Sequence, residues 1–208
     1  MNSMNLVSDY AVVTLNDDGV TSLCEFIIDR EIPQIKKGFD LEFSVDYEMD
    51  VWTDIPMEGD TFTFGWNDGE DIIETHIQTP IVFRSYDSFC YDLYFYLKDN
   101  LNFNLMDYAK EIEVTFDESV ILFSILHELS HMKQYINEFN ECGKFKSVLT
   151  EMEIRNEINY SMNEDERFIA YRKLGTEMYA DSNAVILMKK YKKIMKYWSE
   201  RIVEIFNK

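Results

Sequence analysis

The stretch Thr115-Phe116-Asp117-Glu118-Ser119-Val120-Ile121-Leu122-Phe123-Ser124-Ile125-Leu126-His127-Glu128-Leu129-Ser130-His131-Met132-Lys133-Gln134 decides how this chain is read. Thr115 and Glu118 stand at capping-box spacing, where a threonine hydroxyl and a glutamate each satisfy the other's backbone donor just before an apolar run. No Gly or Pro follows until Gly143, and positions 122, 125, 126, 129 and 132 repeat at the three- and four-residue intervals of one buried stripe. The pattern predicts a helix over about 118–138. On that helix His127 and His131 lie one above the other on the same face, so both imidazoles can reach one metal ion. Glu128, between them, is placed to act as a general base on water at the ion.

Two imidazoles do not complete a catalytic zinc site, which takes three protein ligands and leaves one position open. A third histidine in the pattern HExxHxxGxxH is excluded, because Gln134 and Asn137 occupy its glycine and histidine positions. Cys90 lies in Ser88-Phe89-Cys90-Tyr91, without the glycine context of a cysteine-ligated peptide deformylase. No histidine follows His131, and His76 reads as an exposed strand residue with no role. What remains is a glutamate on a following helix. Glu177 is the leading candidate: it stands four residues before Asp181, and Ala180 and Ala184 beside them permit close packing against the metal helix. Asp181 is then placed to accept the second ring N–H of a ligating histidine. Glu151, Glu157 and Glu166 are the alternatives to Glu177.

His-Glu-Leu-Ser-His at 127–131, followed by Glu-x-x-Ala-Asp-x-x-Ala at 177–184, resembles the gluzincins. The likeness is to the compact bacterial and phage-encoded minigluzincin and ImmA/IrrE-like peptidases, and the approach Tyr171-Arg172-Lys173-Leu174-Gly175-Thr176 is similar to that of phage members. The resemblance covers roughly 118–190. It implies a zincin-like fold and a zinc metallopeptidase acting on protein or peptide, with one Zn2+ held by His127, His131 and Glu177, Glu128 catalytic and Asp181 in support. Ser130 stands where many members have glycine, a change that a helix tolerates. Tyr171 and Arg172, near Glu177 in sequence, are candidates to donate to the oxyanion of the reaction.

The rest of the chain bounds this reading. Its 208 residues are 46% hydrophobic and 15% aromatic, ample for a packed core, and the net charge of −19 disfavours nucleic acid and anionic membrane surfaces as partners. Three cysteines without CxxC spacing, no basic segment near Met1 and no apolar run of membrane-spanning length suggest a cytoplasmic setting, in a bacterium or a phage-infected cell. The oligomeric state is left open. Residues 10–84 carry strand and turn signals: a hairpin across Asn16-Asp17-Asp18-Gly19, and alternating runs at 41–45, 61–64 and 72–82. Phe89–Leu97 reads as an aromatic strand or a short buried helix, and Glu111–Phe116 as a strand leading into the metal helix, its edge offered to an extended substrate. The expected fold is therefore α+β: a β-rich half at 1–110, an antiparallel sheet or small barrel, and a helical metal-binding half at 111–208, as two lobes or one domain. Two other functions compete, a zinc-holding but inactive regulatory protein and an interaction protein working through the β-rich half.

Overall fold

The computed structural model describes residues 11–33, 40–45, 60–67, 72–79, 88–142, 154, 158 and 164–207. The expected β-rich half is not what forms. Of the residues whose side chains are described, 88% are helical, and among them no sheet or barrel forms. Strand backbone is confined to short ladders. β1 (Ala11–Leu15) pairs antiparallel with β5 (Val203–Asn207), and β2 (Asp40–Val45), β3 (Asp60–Asn67) and β4 (Ile72–Thr79) follow one another as an antiparallel meander.

Segments read as turn or strand at 16–28 and 111–116 do not form them, and the run at 89–97, read as strand or short helix, is helical, each for an identifiable reason. Asn16-Asp17-Asp18-Gly19 opens α1 (Asp17–Glu31) instead of turning a hairpin: Asn16 is the N-cap, and its side chain accepts from Gly19 N at 2.9 Å. Residues 22–28, read as the returning strand, continue α1 and bury Leu23, Cys24 and Ile27. The aromatic run falls in α2 (Ser88–Leu101), with Leu93 and Leu97 four apart and fully buried. Glu111–Phe116 is not a strand. α3 (Leu105–Ile112) takes its first two residues, Glu113 closes that helix in the left-handed region at φ 60°, and Thr115 then caps the next one. Ile112, Val114 and Phe116 do all pack against the core, so the alternation reports burial but not strand backbone. No strand edge is left there for a substrate.

α4 (Phe116–Cys142) runs through the centre of the body. Its capping box is made in full: Glu118 N donates to Thr115 Oγ1 at 3.2 Å, and Thr115 N donates to Glu118 Oε2 at 2.6 Å. The stripe at 122, 125, 126, 129 and 132 is buried, and so are Val120, Ile121 and Phe123 outside it. A helix apolar this far round must be enclosed by neighbours. They are α1, α3, α6 (Gly175–Lys190) and α7 (Lys192–Ile202), of which α6 packs on α4 most extensively. α5 (Glu164–Arg172) leads into α6, and Tyr191 separates α6 from α7. Buried side chains of α1 and α2, from the first 110 residues, join those of α3, α4, α6 and α7 in one core.

Gly19 marks a close approach of two backbones in that core. A Cβ built there would stand 2.2 Å from the carbonyl oxygen of Arg201, so only glycine lets α1 meet α7. Among the described residues no helix is long and apolar enough to cross a membrane.

Candidate metal centre

Four rings stand in a column along one face of α4 at intervals of four residues: Phe123, His127, His131 and Tyr135. The imidazoles of His127 and His131 meet edge to face with centroids 4.7 Å apart, and His131 stacks on Tyr135 at 5.8 Å and 14°. This fixes both rings by packing, and their Nε2 atoms come within 3.1 Å of each other. α6 lies across them. It brings Glu177 so that Oε2 is 3.1 Å from His127 Nε2 and Oε1 is 3.4 Å from His131 Nε2.

These separations test whether the donors fit an ion. Ligand atoms about 2.0–2.1 Å from a tetrahedral zinc stand roughly 3.3–3.4 Å from one another, close to the 3.1 Å between the two imidazole nitrogens, while Glu177 offers each nitrogen a different carboxylate oxygen, Oε2 to His127 at 3.1 Å and Oε1 to His131 at 3.4 Å. Nitrogen and carboxylate oxygen are also the donor types zinc takes. Among the described residues the two histidines and Glu128 form a group whose ligand atoms all lie within 4.8 Å of one another, Glu128 Oε1 being 3.8 Å from His127 Nε2. The two glutamates differ in exposure: the Glu177 side chain is 1% exposed and that of Glu128 is 22%. One is enclosed among the donors and the other has access to water.

Asp181, one turn beyond Glu177, places Oδ1 2.9 Å from His127 Nδ1. The same oxygen accepts from Arg172 Nη1 at 2.8 Å, and that Nη1 is 3.9 Å from Glu177 Oε2. Three carboxylates against one guanidinium leave two negative charges when the imidazoles are neutral, the complement of a dication. The electrostatics agree in sign. Burial works to lower the His127 pKa, but Asp181, Glu177 and Glu128 outweigh it and carry the ring up to about 9. Burial likewise works to raise Glu177, and hydrogen bonds from His127 and His131 override it and hold the carboxyl well below the usual range. A recess that holds a proton this firmly has the negative potential a cation would meet.

No family model, curated protein or solved structure matches this chain.

Of the other candidates, Glu166 is exposed on α5, and Glu151 and Glu157 lie outside the described residues. Tyr171 sits half-buried on the last turn of α5. Its neighbour Arg172, read as an oxyanion donor, instead directs its guanidinium to Asp181. Ser130 does more than be tolerated: it is fully buried, donates to Leu126 O at 2.6 Å and accepts from Asn183 Nδ2 at 2.9 Å, clamping α6 to α4. Neither Asn183 nor the Arg172–Asp181 pair had a sequence signal. Nine residues across an interhelical turn follow no helical period, and a lone asparagine in an apolar run does not name its partner.

Proposed function

We propose that this chain is a zinc-dependent metallopeptidase of the gluzincin kind, with His127, His131 and Glu177 as the residues that would hold the metal and Glu128 as general base. The observation that carries the reading is two imidazole nitrogens 3.1 Å apart, each within 3.4 Å of an oxygen of the Glu177 carboxylate, with a second, partly exposed carboxylate, Glu128, beside them. Zinc bound there supplies a Lewis acid that polarises a substrate carbonyl and makes water acidic near neutral pH.

The chain's own groups supply the rest. Glu128 takes a proton from the attacking water on Oε1 or Oε2 and passes it to the leaving amine nitrogen, a transfer open to it because its side chain faces solvent. Asp181 Oδ1 stands 2.9 Å from His127 Nδ1 as the charge partner on that side of the ring, and Nε2 is directed at the recess. The substrate class is a peptide bond in a protein or peptide. A chain of net charge −19 repels phosphate backbones, so nucleic acid is not the partner we propose. Cysteines without paired spacing suit a reducing cytoplasm, bacterial or phage-infected.

The test pairs zinc stoichiometry with cleavage of a peptide library by wild type and Glu128→Gln. The variant should keep its zinc and lose about 10²–10⁴-fold in cleavage rate, the usual worth of a positioned acid–base group. Equal cleavage by both overturns the assignment of Glu128. Full zinc with no cleavage by wild type favours a zinc-holding binding protein instead.

A further inference from the structure

Arg172 is 7% exposed, and a buried guanidinium is costly unless it is paired. It ends α5, and its backbone carbonyl accepts from the hydroxyl of Tyr96, on α2, at 3.0 Å. Its side chain then reaches across the turn to α6, where Nη1 meets Asp181 Oδ1 at 2.8 Å, the same oxygen that lies 2.9 Å from His127 Nδ1 on α4. Oδ2 of Asp181 is buried and makes no hydrogen bond. The carboxylate is thus oriented by the Arg172 hydrogen bond to Oδ1, which sets that oxygen 2.9 Å from His127 Nδ1, a buried nitrogen that itself makes no hydrogen bond. With Arg172 removed, Asp181 would be free to rotate the other oxygen toward the histidine or away from it.

We infer that Arg172 is a positioning residue for the metal centre: anchored by Tyr96, it locks the Asp181 carboxylate so that His127 presents Nε2 beside Glu177 and His131. The inference rests on the metal-binding reading above. Four helices meet in the chain Tyr96, Arg172, Asp181, His127, and each link spans two elements that nothing in local sequence brings together. A bare electrostatic role for Arg172 has the opposite sign, because deleting a cation beside a metal site strengthens metal binding. The two roles are therefore separable by direction alone.

The experiment measures the affinity of the full-length chain for zinc alone, by competition with a chromophoric chelator. Wild type, Arg172→Met, Arg172→Lys, Asp181→Asn and the double variant are compared, with the melting temperature of each metal-stripped protein recorded alongside. Arg172→Met should weaken zinc about 10–100-fold, the range found when a carboxylate supporting a ligating histidine is lost. Arg172→Lys, which keeps a donor to Asp181, should recover part of that loss. In the Asp181→Asn background, Arg172→Met should cost little more, since the arginine acts through the aspartate. The double variant also removes both buried charges together, so it tests the inference even if a single variant folds poorly. Unchanged or tighter zinc in Arg172→Met, or losses that simply add in the double variant, would overturn the inference and leave the metal reading intact. If wild type itself takes up no zinc, both fall.

Discussion

Two interhelical contacts in this body are built on opposite principles. Where α1 meets α7, the contact is steric and apolar: Gly19 lies against the Arg201 backbone, with Val20, Leu23 and Ile27 buried from one side and Met195 and Ile202 from the other. Where α4 meets α6, buried alanines at 180 and 184 are accompanied by two histidines, Glu177, Asp181, Ser130 and Asn183, with Arg172 at the end of α5 against them. The first kind of contact stabilises by removing apolar surface from water, about 25 cal/mol per Å2. The second buries charge, and well-packed apolar residues in its place are often as stable or more so. A fold that needed only stability had no reason to place charges there, so the α4–α6 seam is where function is to be sought.

The largest effect expected follows from that contrast. Zinc should raise the stability of wild type by about 4 kcal/mol at a free concentration a thousand times its dissociation constant, and His131→Ala should abolish the gain. Thermal melts with zinc and with a chelator check it. An equal zinc response in His131→Ala would mean that the seam is not the metal site.

Next comes the steric contact. Gly19→Ala should destabilise the chain by about 1–3 kcal/mol through overpacking against Arg201, although alanine is the better helix former by about 1 kcal/mol. Its loss in urea should be the same with and without zinc. A zinc-dependent loss would erase the distinction between the two contacts.

Ser130→Ala, within the seam, leaves buried Asn183 without one partner and should cost about 1–3 kcal/mol. It should also loosen α6 over the site, so that zinc affinity falls along with stability. Stability alone falling would confine Ser130 to packing.

The smallest effect concerns pH. Burial, reinforced by Glu118, raises the carboxyl of Asp117 from 3.8 to about 6. A folded pKa above the unfolded one means that the protonated acid is favoured in the fold. The stability it contributes is complete below 3.8 and is lost as pH rises through 6. Asp117→Asn should therefore gain on wild type between pH 4 and 6 and hold a constant lead above, read as the difference between their urea midpoints. A flat difference would show that Asp117 is not held in this way.

Local signals were legible where one segment carries the whole cause. The capping box at Thr115 and Glu118, the stripe along α4 and the four-residue spacing of His127 and His131 each need only a helix to be realised. The misreading of residues 10–31 has an equally local cause. Asn16 accepting from a backbone N–H three residues on serves a turn and an N-cap alike, so Asn16-Asp17-Asp18-Gly19 opens either structure. What chooses is the fit of α1 against α7 at Gly19, nearly two hundred residues away in the chain.

By itself, then, the sequence determined the central helix, its cap, the pair of histidines with Glu128 between them, and a short field of acids from which Glu177 and Asp181 stood out. Only the tertiary structure decided that α1 and α2 are helices in the same core, that Glu177 lies within 3.4 Å of both histidines, and that Arg172 faces Asp181. The physical reason is range. Helix periodicity and capping act over three or four residues and are written in the order of the side chains. The meeting of α4 with α6 depends on how every neighbouring face fills space, and no single segment encodes that.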